Sequence, residues 1–275
     1  MKKLIPSILI ALSTSISISH AAPNNHIEEI KSKLNNISPT QFSDVRVEPS
    51  IVNDYYQVIS KNGAKVYTNK DVTTFISGDL IVVDGLELKN ATAQENRTRN
   101  KKIVDDLVSK YNNTLVYYPN LGKEKVTSIY VFTDFTCPYC RKLHQNLQQF
   151  LENGIEVHYI PFPRNTMADI MAVRGLQKII CSPDKKTAFD LAFANPKKYA
   201  LDSQKSPVSC PEAVDLLNLH NYADLLGIQG TPTAFTEKGT KITGFNSAQS
   251  FAIEIRKAID DEKKWIKGNN VNENK

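Results

Sequence analysis

Two cysteines separated by two residues, Cys137 and Cys140, form the motif whose spacing most directly indicates chemistry in this chain. Residues 129–132 before them are β-branched or aromatic, which predicts a buried strand. Residues 141–151 place leucine and phenylalanine at helical spacing, so Cys137 is expected at a helix N-terminus. Free backbone N–H groups and the helix dipole stabilise a thiolate there. Such a thiol can attack, and Cys140, about one turn later, can resolve the product.

The same spacing also occurs in zinc sites. A zinc site needs a second close pair of ligands, and Cys181 and Cys210 stand apart from each other in the sequence. A strand before the motif, a helix after it and Pro138 inside it favour a redox pair over zinc or a static buried disulfide. We therefore predict no metal site and no dissociable cofactor, and we expect Cys137 to be exposed, with a lowered pKa.

Residues 1–21 predict a signal peptide. Lys2 and Lys3 precede an apolar, serine-containing stretch that ends in small residues, and the stretch is too short and too rich in serine to favour a membrane anchor. Without the two lysines the formal charge falls from +5 to +3, and the positive charge does not cluster, which argues against nucleic acid as a partner. All four cysteines remain in the mature chain, an even count that fits an oxidising compartment.

The mature chain divides into three predicted regions. Residues 22–84 read as a short helix followed by short strands, an α+β unit that buries too little apolar surface to be stable alone. A partner is therefore implied, either the second domain or another copy of the chain. Residues 85–112 are mostly polar and favour a solvent-exposed linker helix over a flexible coil. Residues 113–275 read as strand, helix and strand, then helices at about 165–226, then a hairpin and a last helix. This order predicts a thioredoxin-like α/β domain with a helical insertion.

The segment from Val131 to His144, which contains both cysteines, resembles the active-site segment of the periplasmic thiol:disulfide interchange proteins of the DsbC/DsbG family. The resemblance continues in residues 161–164, in the other two cysteines and in residues 227–232, and it covers essentially the whole mature chain. It implies a V-shaped homodimer in which residues 22–84 are the dimerisation domain and two thioredoxin-like domains face a shared cleft. Pro138 resembles DsbG, since DsbC usually has glycine there.

The resemblance also implies roles for individual residues. Cys137 would be the attacking thiol and Cys140 the resolving thiol. Thr231 and Pro232 match the cis-proline dipeptide of the family, whose backbone would bind an extended substrate strand beside Cys137.

The pair Cys181 and Cys210, which resembles DsbC, would form a structural disulfide that ties the insert, with a second redox pair as the alternative. His144 is expected on the helix surface, although it could tune the thiols. Val131 stands where thioredoxins carry a buried acid, so the proton acceptor is unidentified. Asp134 is expected to be a turn residue at the strand end.

These features together predict a periplasmic, homodimeric protein disulfide isomerase or reductase. Its substrates would be misfolded or wrongly disulfide-bonded secreted proteins, and the resemblance implies a DsbD-like membrane thiol reductase as electron donor. A DsbG-like reductase of sulfenylated cysteines is an alternative supported by Pro138. A dithiol oxidase and a cleft-type chaperone with secondary redox activity are the others.

Overall fold

The computed structural model describes residues 24–61, 63–122, 124–164, 170–206 and 208–270. The predicted signal peptide therefore lies outside the described residues. Within these ranges, none of the helices combines the length and the apolar character that a membrane crossing requires.

The N-terminal part of the chain is a helix packed on a small antiparallel sheet. Its elements are α1 (Asn24–Ile37), α2 (Pro39–Phe42), β1 (Arg46–Pro49), β2 (Tyr55–Ile59), β3 (Lys65–Asn69) and β4 (Phe75–Ile76), with the strands paired in chain order. Ile30 and Leu34, one helical turn apart on α1, are fully buried against the sheet. The amphipathic helix and the antiparallel strands predicted for this region are confirmed.

A separate hairpin follows, formed by β5 (Ile81–Asp84) and β6 (Glu87–Asn90), and then the long helix α3 (Ala91–Tyr111). The helix predicted for residues 85–112 is present, but its expected start was wrong, because residues 85–90 form a turn and a strand. Asn90 ends the strand and caps the helix, since its side chain accepts a hydrogen bond from Ala93 N at 2.8 Å.

The rest of the chain forms the predicted thioredoxin-like domain around a five-stranded sheet. Before the insert come β7 (Val116–Tyr118), β8 (Thr127–Thr133), α4 (Pro138–Gln145), α5 (Leu147–Glu152) and β9 (Ile155–Pro161); after it come β10 (Thr233–Thr236), β11 (Lys241–Thr243) and α10 (Ala248–Asn270). The strand order is β11-β10-β8-β9-β7, in which only β8 and β9 are parallel neighbours. The central strand β8, which leads to the cysteines, is almost wholly buried.

The insert contains four helices of the described chain: α6 (Ile170–Ile180), α7 (Lys185–Ala194), α8 (Pro196–Lys205) and α9 (Asp215–Leu225). The helices predicted for about 165–226 are present, but the sequence pattern placed segments only at about 169–180, 186–194 and 211–226 and therefore missed α8. Its signal was present, because Asn195 caps the helix and Pro196 occupies the first turn.

The predicted solvent exposure of α3 was wrong. Its one apolar cluster packs onto the thioredoxin-like domain, where Val104 and Leu107 are buried beside α9 residues such as Leu219. Asp106 of α3 also accepts a hydrogen bond from the Tyr222 hydroxyl at 2.6 Å. A single apolar stripe on a polar helix is enough to dock it when a neighbouring helix offers a matching face.

Candidate active site

The turn between β8 and α4 places Cys137 at the helix start. Asp134 Oδ1 accepts hydrogen bonds from Thr136 N at 2.8 Å and from its hydroxyl at 2.7 Å, which confirms Asp134 as a turn residue. Cys137 is the N-cap residue of α4, and Pro138 begins the helix, where the missing N–H costs no internal hydrogen bond. The predicted helix-start position of Cys137 is therefore confirmed.

The expected exposure of Cys137 was wrong, since the residue is only 2 % exposed. In its protonated form its Sγ donates a hydrogen bond to Thr231 O at 3.4 Å. Its pKa is nevertheless lowered to about 5, chiefly by the neighbouring Cys140 thiol and then by the Thr231 side chain and the backbone of Tyr139 and Cys140, which together outweigh burial. Cys137 is therefore a thiolate at neutral pH.

Cys140 has the opposite ionisation. It is fully buried, and burial raises its pKa well above the ordinary value, with the hydrogen bond to Cys137 and the charge on Cys137 acting in the same direction. The Thr133 and Thr231 hydroxyls are buried and have no hydrogen-bond partner among the described residues, and hydrogen bonds from both would favour a Cys140 thiolate. The site thus contains a nucleophilic thiolate, Cys137, and a protonated thiol, Cys140. The two threonine hydroxyls are placed to stabilise the Cys140 thiolate when it forms.

Arg164 adds a positive charge at the edge of the site. Its Nε lies 3.3 Å from Asp134 Oδ2, and one of its terminal nitrogens donates to the Thr136 hydroxyl at 3.3 Å. Burial alone would lower the pKa of Arg164, but Asp134 and then the two cysteine sulfurs raise it. Sequence reasoning gave Arg164 no role, although its position just beyond β9, the parallel neighbour of β8, is the signal that could have found it.

His144 is not on the helix surface, which corrects the expectation. Its side chain is 13 % exposed and lies among the rings of Tyr118, Tyr159 and Phe193. Its Nδ1 is 3.4 Å from the Tyr159 hydroxyl and its Nε2 is 3.1 Å from Asp190 Oδ1. Burial lowers the pKa of His144 although Asp190 opposes the shift, so the imidazole is neutral at pH 7.

The insert contacts the same turn. Gly175 of α6 allows this approach, because a Cβ atom there would lie 2.4 Å from the Phe135 ring. Cys181 and Cys210 form the expected disulfide at the two sides of α7 and α8, with an S–S distance of 2.03 Å. Cys137 and Cys140 are both free thiols. The peptide bond between Thr231 and Pro232 is cis, as the resemblance implied.

Two family models match the chain. A thioredoxin-like domain model matches residues 112–259, and the model of the disulfide bond isomerase protein N-terminal domain matches residues 18–93. The chain belongs to the thioredoxin-like DsbC/DsbG family. It is accordingly a thiol:disulfide interchange enzyme, and the two free cysteines stand where that chemistry requires a thiolate and a thiol.

Two curated relatives align with this member of the DsbC/DsbG family over most of its length and most of their own. The thiol:disulfide interchange protein DsbC of Escherichia coli K12 is 29 % identical over 222 residues, which are 81 % of this chain and 84 % of the relative. The protein of the same name from Dickeya dadantii is 28 % identical over 238 residues, covering 86 % and 88 %.

Among solved structures, the catalytic domain of Proteus mirabilis ScsC is 18 % identical with a TM-score of 0.46, covering 58 % of this chain and 98 % of that one. DsbG of Helicobacter pylori is 13 % identical with a TM-score of 0.42, covering 76 % and 99 %.

Proposed function

We propose that this protein is a periplasmic disulfide isomerase and reductase that attacks non-native disulfides through Cys137. The observation that carries the proposal is the opposite ionisation of two thiols at one helix start. A thiolate with a pKa of about 5 is ionised at neutral pH and is also a good leaving group. A protonated Cys140 does not compete with Cys137 for the substrate.

In the first step, Cys137 Sγ attacks one sulfur of a substrate disulfide. A new S–S bond forms, the substrate S–S bond breaks, and the other substrate sulfur leaves as a thiolate. In isomerisation, a substrate thiolate then attacks the substrate sulfur of the mixed disulfide and releases Cys137 as a thiolate, with no net oxidation. In reduction, Cys140 loses its proton and attacks Cys137 Sγ, which forms the 137–140 disulfide and releases a reduced substrate.

The reduction branch consumes two electrons from the cysteine pair. A reductant must restore both thiols, and a DsbD-like membrane thiol reductase is the donor that the family suggests. The substrate would bind as an extended segment along Thr231 and Pro232, because Thr231 O lies within 3.4 Å of the attacking sulfur and belongs to a loop rather than to a paired strand.

The proton of Cys140 would leave through Tyr159 and His144 to Asp190. Cys140 and His144 are four residues apart on α4 and therefore share a helix face. The charge on Cys140 adds to burial in raising the pKa of Tyr159, so the buried hydroxyl can relay a proton while remaining neutral. Asp190 is 48 % exposed and connects this route to solvent. This route supplies the acceptor that Val131, in the place of a buried acid, does not provide.

The protein would act as a homodimer through the β5–β6 hairpin. This hairpin forms a two-stranded sheet by itself, an arrangement that is marginal in water. Val83 is 68 %, Leu86 104 % and Leu88 75 % exposed, an apolar cluster that a second copy of the hairpin could cover.

Reduction of sulfenylated cysteines is the second candidate, favoured by Pro138. In that reaction Cys137 Sγ attacks the sulfenic sulfur, the S–O bond breaks, and the oxygen leaves as water after taking up a proton. Cys140 then resolves the mixed disulfide as above.

The decisive experiment is the refolding of a secreted protein that has been oxidised to random disulfides. We expect the wild type to restore activity to the substrate, Cys137→Ala to be inactive, and Cys140→Ala to form mixed disulfides that are visible on non-reducing gels. A sulfenylated single-cysteine protein, assayed in parallel, tests the second candidate. Trapping by Cys137→Ala instead of Cys140→Ala, or restoration that does not need Cys137, would contradict the proposal.

A further inference from the structure

A second cluster of charged residues lies where the N-terminal sheet, α3 and the β10–β11 turn meet. A cavity of about 290 Å³ is found there. Its charged lining residues within the described chain are all cationic, namely Lys65, Arg97, Arg99 and Lys241. None of the cysteines lines it, so the cluster is separate from the thiol chemistry.

Close backbone packing surrounds this cavity. A Cβ atom at Gly239 would lie 2.1 Å from the carbonyl oxygen of Arg97, and one at Gly63 would lie 2.9 Å from the Cα of Gly227. The Asn100 side chain, which is 3 % exposed, also donates to Gly239 O at 3.2 Å. The cations are therefore held together by packed backbone from three parts of the chain.

Two nitrogens of Arg99 lack an acceptor among the described residues of this cluster. Its Nε and Nη1 atoms are buried, and no described residue accepts a hydrogen bond from either. Buried polar atoms are nearly always paired, so these two unpaired nitrogens point to an acceptor that the described residues do not supply.

The carboxylate nearest to Lys65 is already occupied. Glu95 is the acid nearest to Lys65, at 3.6 Å, but its oxygens also accept hydrogen bonds from Ser50, Ile51 N and Tyr67. Within the described part of the chain, Lys241 donates to the neutral backbone carbonyls of residues 226 and 227 and to no carboxylate.

The cations also repel one another. Burial lowers the pKa of Lys65 to about 8 and Arg99 adds to the shift, although Glu95 and Glu48 oppose it. Burial followed by the charge of Arg99 lowers the pKa of Lys241 as well. Burial and then Arg46 lower the pKa of Arg99 itself. An anion bound among these groups would offset the repulsion between the cations and would also accept hydrogen bonds from the unpaired Arg99 nitrogens.

We propose that this cavity binds a tetrahedral oxyanion of the phosphate or sulfate type. The volume is several times the roughly 30 Å³ that one water occupies, so an oxyanion fits together with some of its hydration. The bound anion contacts β3 through Lys65, α3 through Arg99 and β11 through Lys241. It thereby ties the N-terminal sheet to the thioredoxin-like domain.

Equilibrium dialysis of the full mature chain against radiolabelled inorganic phosphate tests the proposal, at constant ionic strength set with chloride. We expect saturable binding of one phosphate per chain, competition by sulfate and a rise in the thermal midpoint at the same millimolar concentrations. General salting effects of these anions do not saturate in that range.

The variants Arg99→Gln and Lys241→Gln should each weaken phosphate binding at least about tenfold, as expected for loss of a charge-assisted hydrogen bond. Lys102→Gln, which removes the same charge from an exposed position on α3, should bind like the wild type. Circular dichroism and the alkylation rate of Cys137 verify that each variant is folded. If Arg99→Gln does not fold, phosphate binding by Lys241→Gln tests the proposal. Absence of saturable binding by the wild type, or equal weakening by Lys102→Gln, overturns the proposal.

Discussion

The two active-site thiols differ in pKa. Neighbouring donors lower the pKa of Cys137, whereas burial raises the pKa of Cys140. Helix periodicity after Cys137 was sufficient to predict its place at a helix start. Its burial could not be predicted, because Thr231, whose carbonyl oxygen lies beside its sulfur, comes some ninety residues later in the chain. His144 was placed wrongly for the same reason, since the rings around it come from β7, β9 and α7.

Alkylation of the reduced protein should follow the ionisation of Cys137. The rate should rise with pH around a midpoint near 5 and then level off, because the thiolate is the reacting form. Since this pKa lies below the unfolded value of about 8.5, the thiolate stabilises the reduced protein above that value and the contribution is lost as pH falls towards 5. Mass spectrometry locates the label; a midpoint near 8.5, or equal labelling of Cys140, would contradict the assignment.

His144→Phe should slow the resolving step and spare the attacking step. Without the imidazole the Cys140 proton must leave directly to solvent, so resolution of a mixed disulfide should fall by about 100-fold at pH 7 and rise with pH. Alkylation of Cys137 should be unchanged. His158→Phe, which replaces a half-buried ring on the same strand as Tyr159, serves as control. A uniform loss at all pH values would indicate a purely structural role for His144.

At the scale of elements, the hydrophobic patterns predicted the order of strands and helices in the thioredoxin-like domain. The predicted boundaries were wrong where a single capping residue determines where a helix begins. Because Asn90 is the N-cap, α3 begins at Ala91 and not at residue 85 as its polar composition predicted. Asn195 and Pro196 begin α8, a helix that the pattern of apolar residues did not predict. The docking of α3 depends on α9, which sequence periodicity within α3 alone cannot show.

Gly175→Ala should disturb the active-site turn although α6 lies outside the motif. Alanine favours a helix by about 1 kcal/mol over glycine, yet the new methyl group would overlap the Phe135 ring and cost about 1–3 kcal/mol. We expect a net loss of unfolding free energy in denaturant titration. The double variant Gly175→Ala/Phe135→Leu should recover part of it, and a more stable single variant would refute the contact.

Replacing Cys181 and Cys210 together by alanine should lower the unfolding free energy by about 3–4 kcal/mol, given a sequence separation of 29 residues. Because this pair ties the insert and contacts no catalytic sulfur through hydrogen bonds among the described residues, Cys137 alkylation should remain close to normal. A lost reduction activity with unchanged stability would instead identify a second redox pair.

For the whole molecule, the sequence predicted a small N-terminal unit that needs a partner, either the catalytic domain or a second copy, and favoured the second copy. The structure shows contact with the catalytic domain, since an Arg46 guanidinium nitrogen lies 3.4 Å from Leu225 O and the close approach of Gly63 to Gly227 joins the same two parts. Contacts between distant segments leave no periodic trace in a sequence, so such packing was out of reach.

Val83→Lys/Leu88→Glu should break the proposed dimer without unfolding the monomer. The two residues are cross-strand partners, so the opposite charges suit an exposed hairpin but not an apolar interface. Sedimentation velocity should change from dimer to monomer, with loss of isomerisation and retention of simple dithiol reduction. Leu217→Lys/Ile253→Glu, at similarly exposed positions, should leave a dimer. Wild-type sedimentation as a monomer would refute this arrangement.

The anchoring of α3 has a mechanical consequence. Glu95 fixes its first turns to the N-terminal sheet through Ser50 and Tyr67, and Leu107 fixes its last turns to the catalytic domain. Twenty-one residues at 1.5 Å each make this a strut about 32 Å long that is clamped at both ends. In a dimer, two such helices would fix the distance between the catalytic domains. The width of the cleft would then limit the size of the substrate proteins that can reach the cysteines.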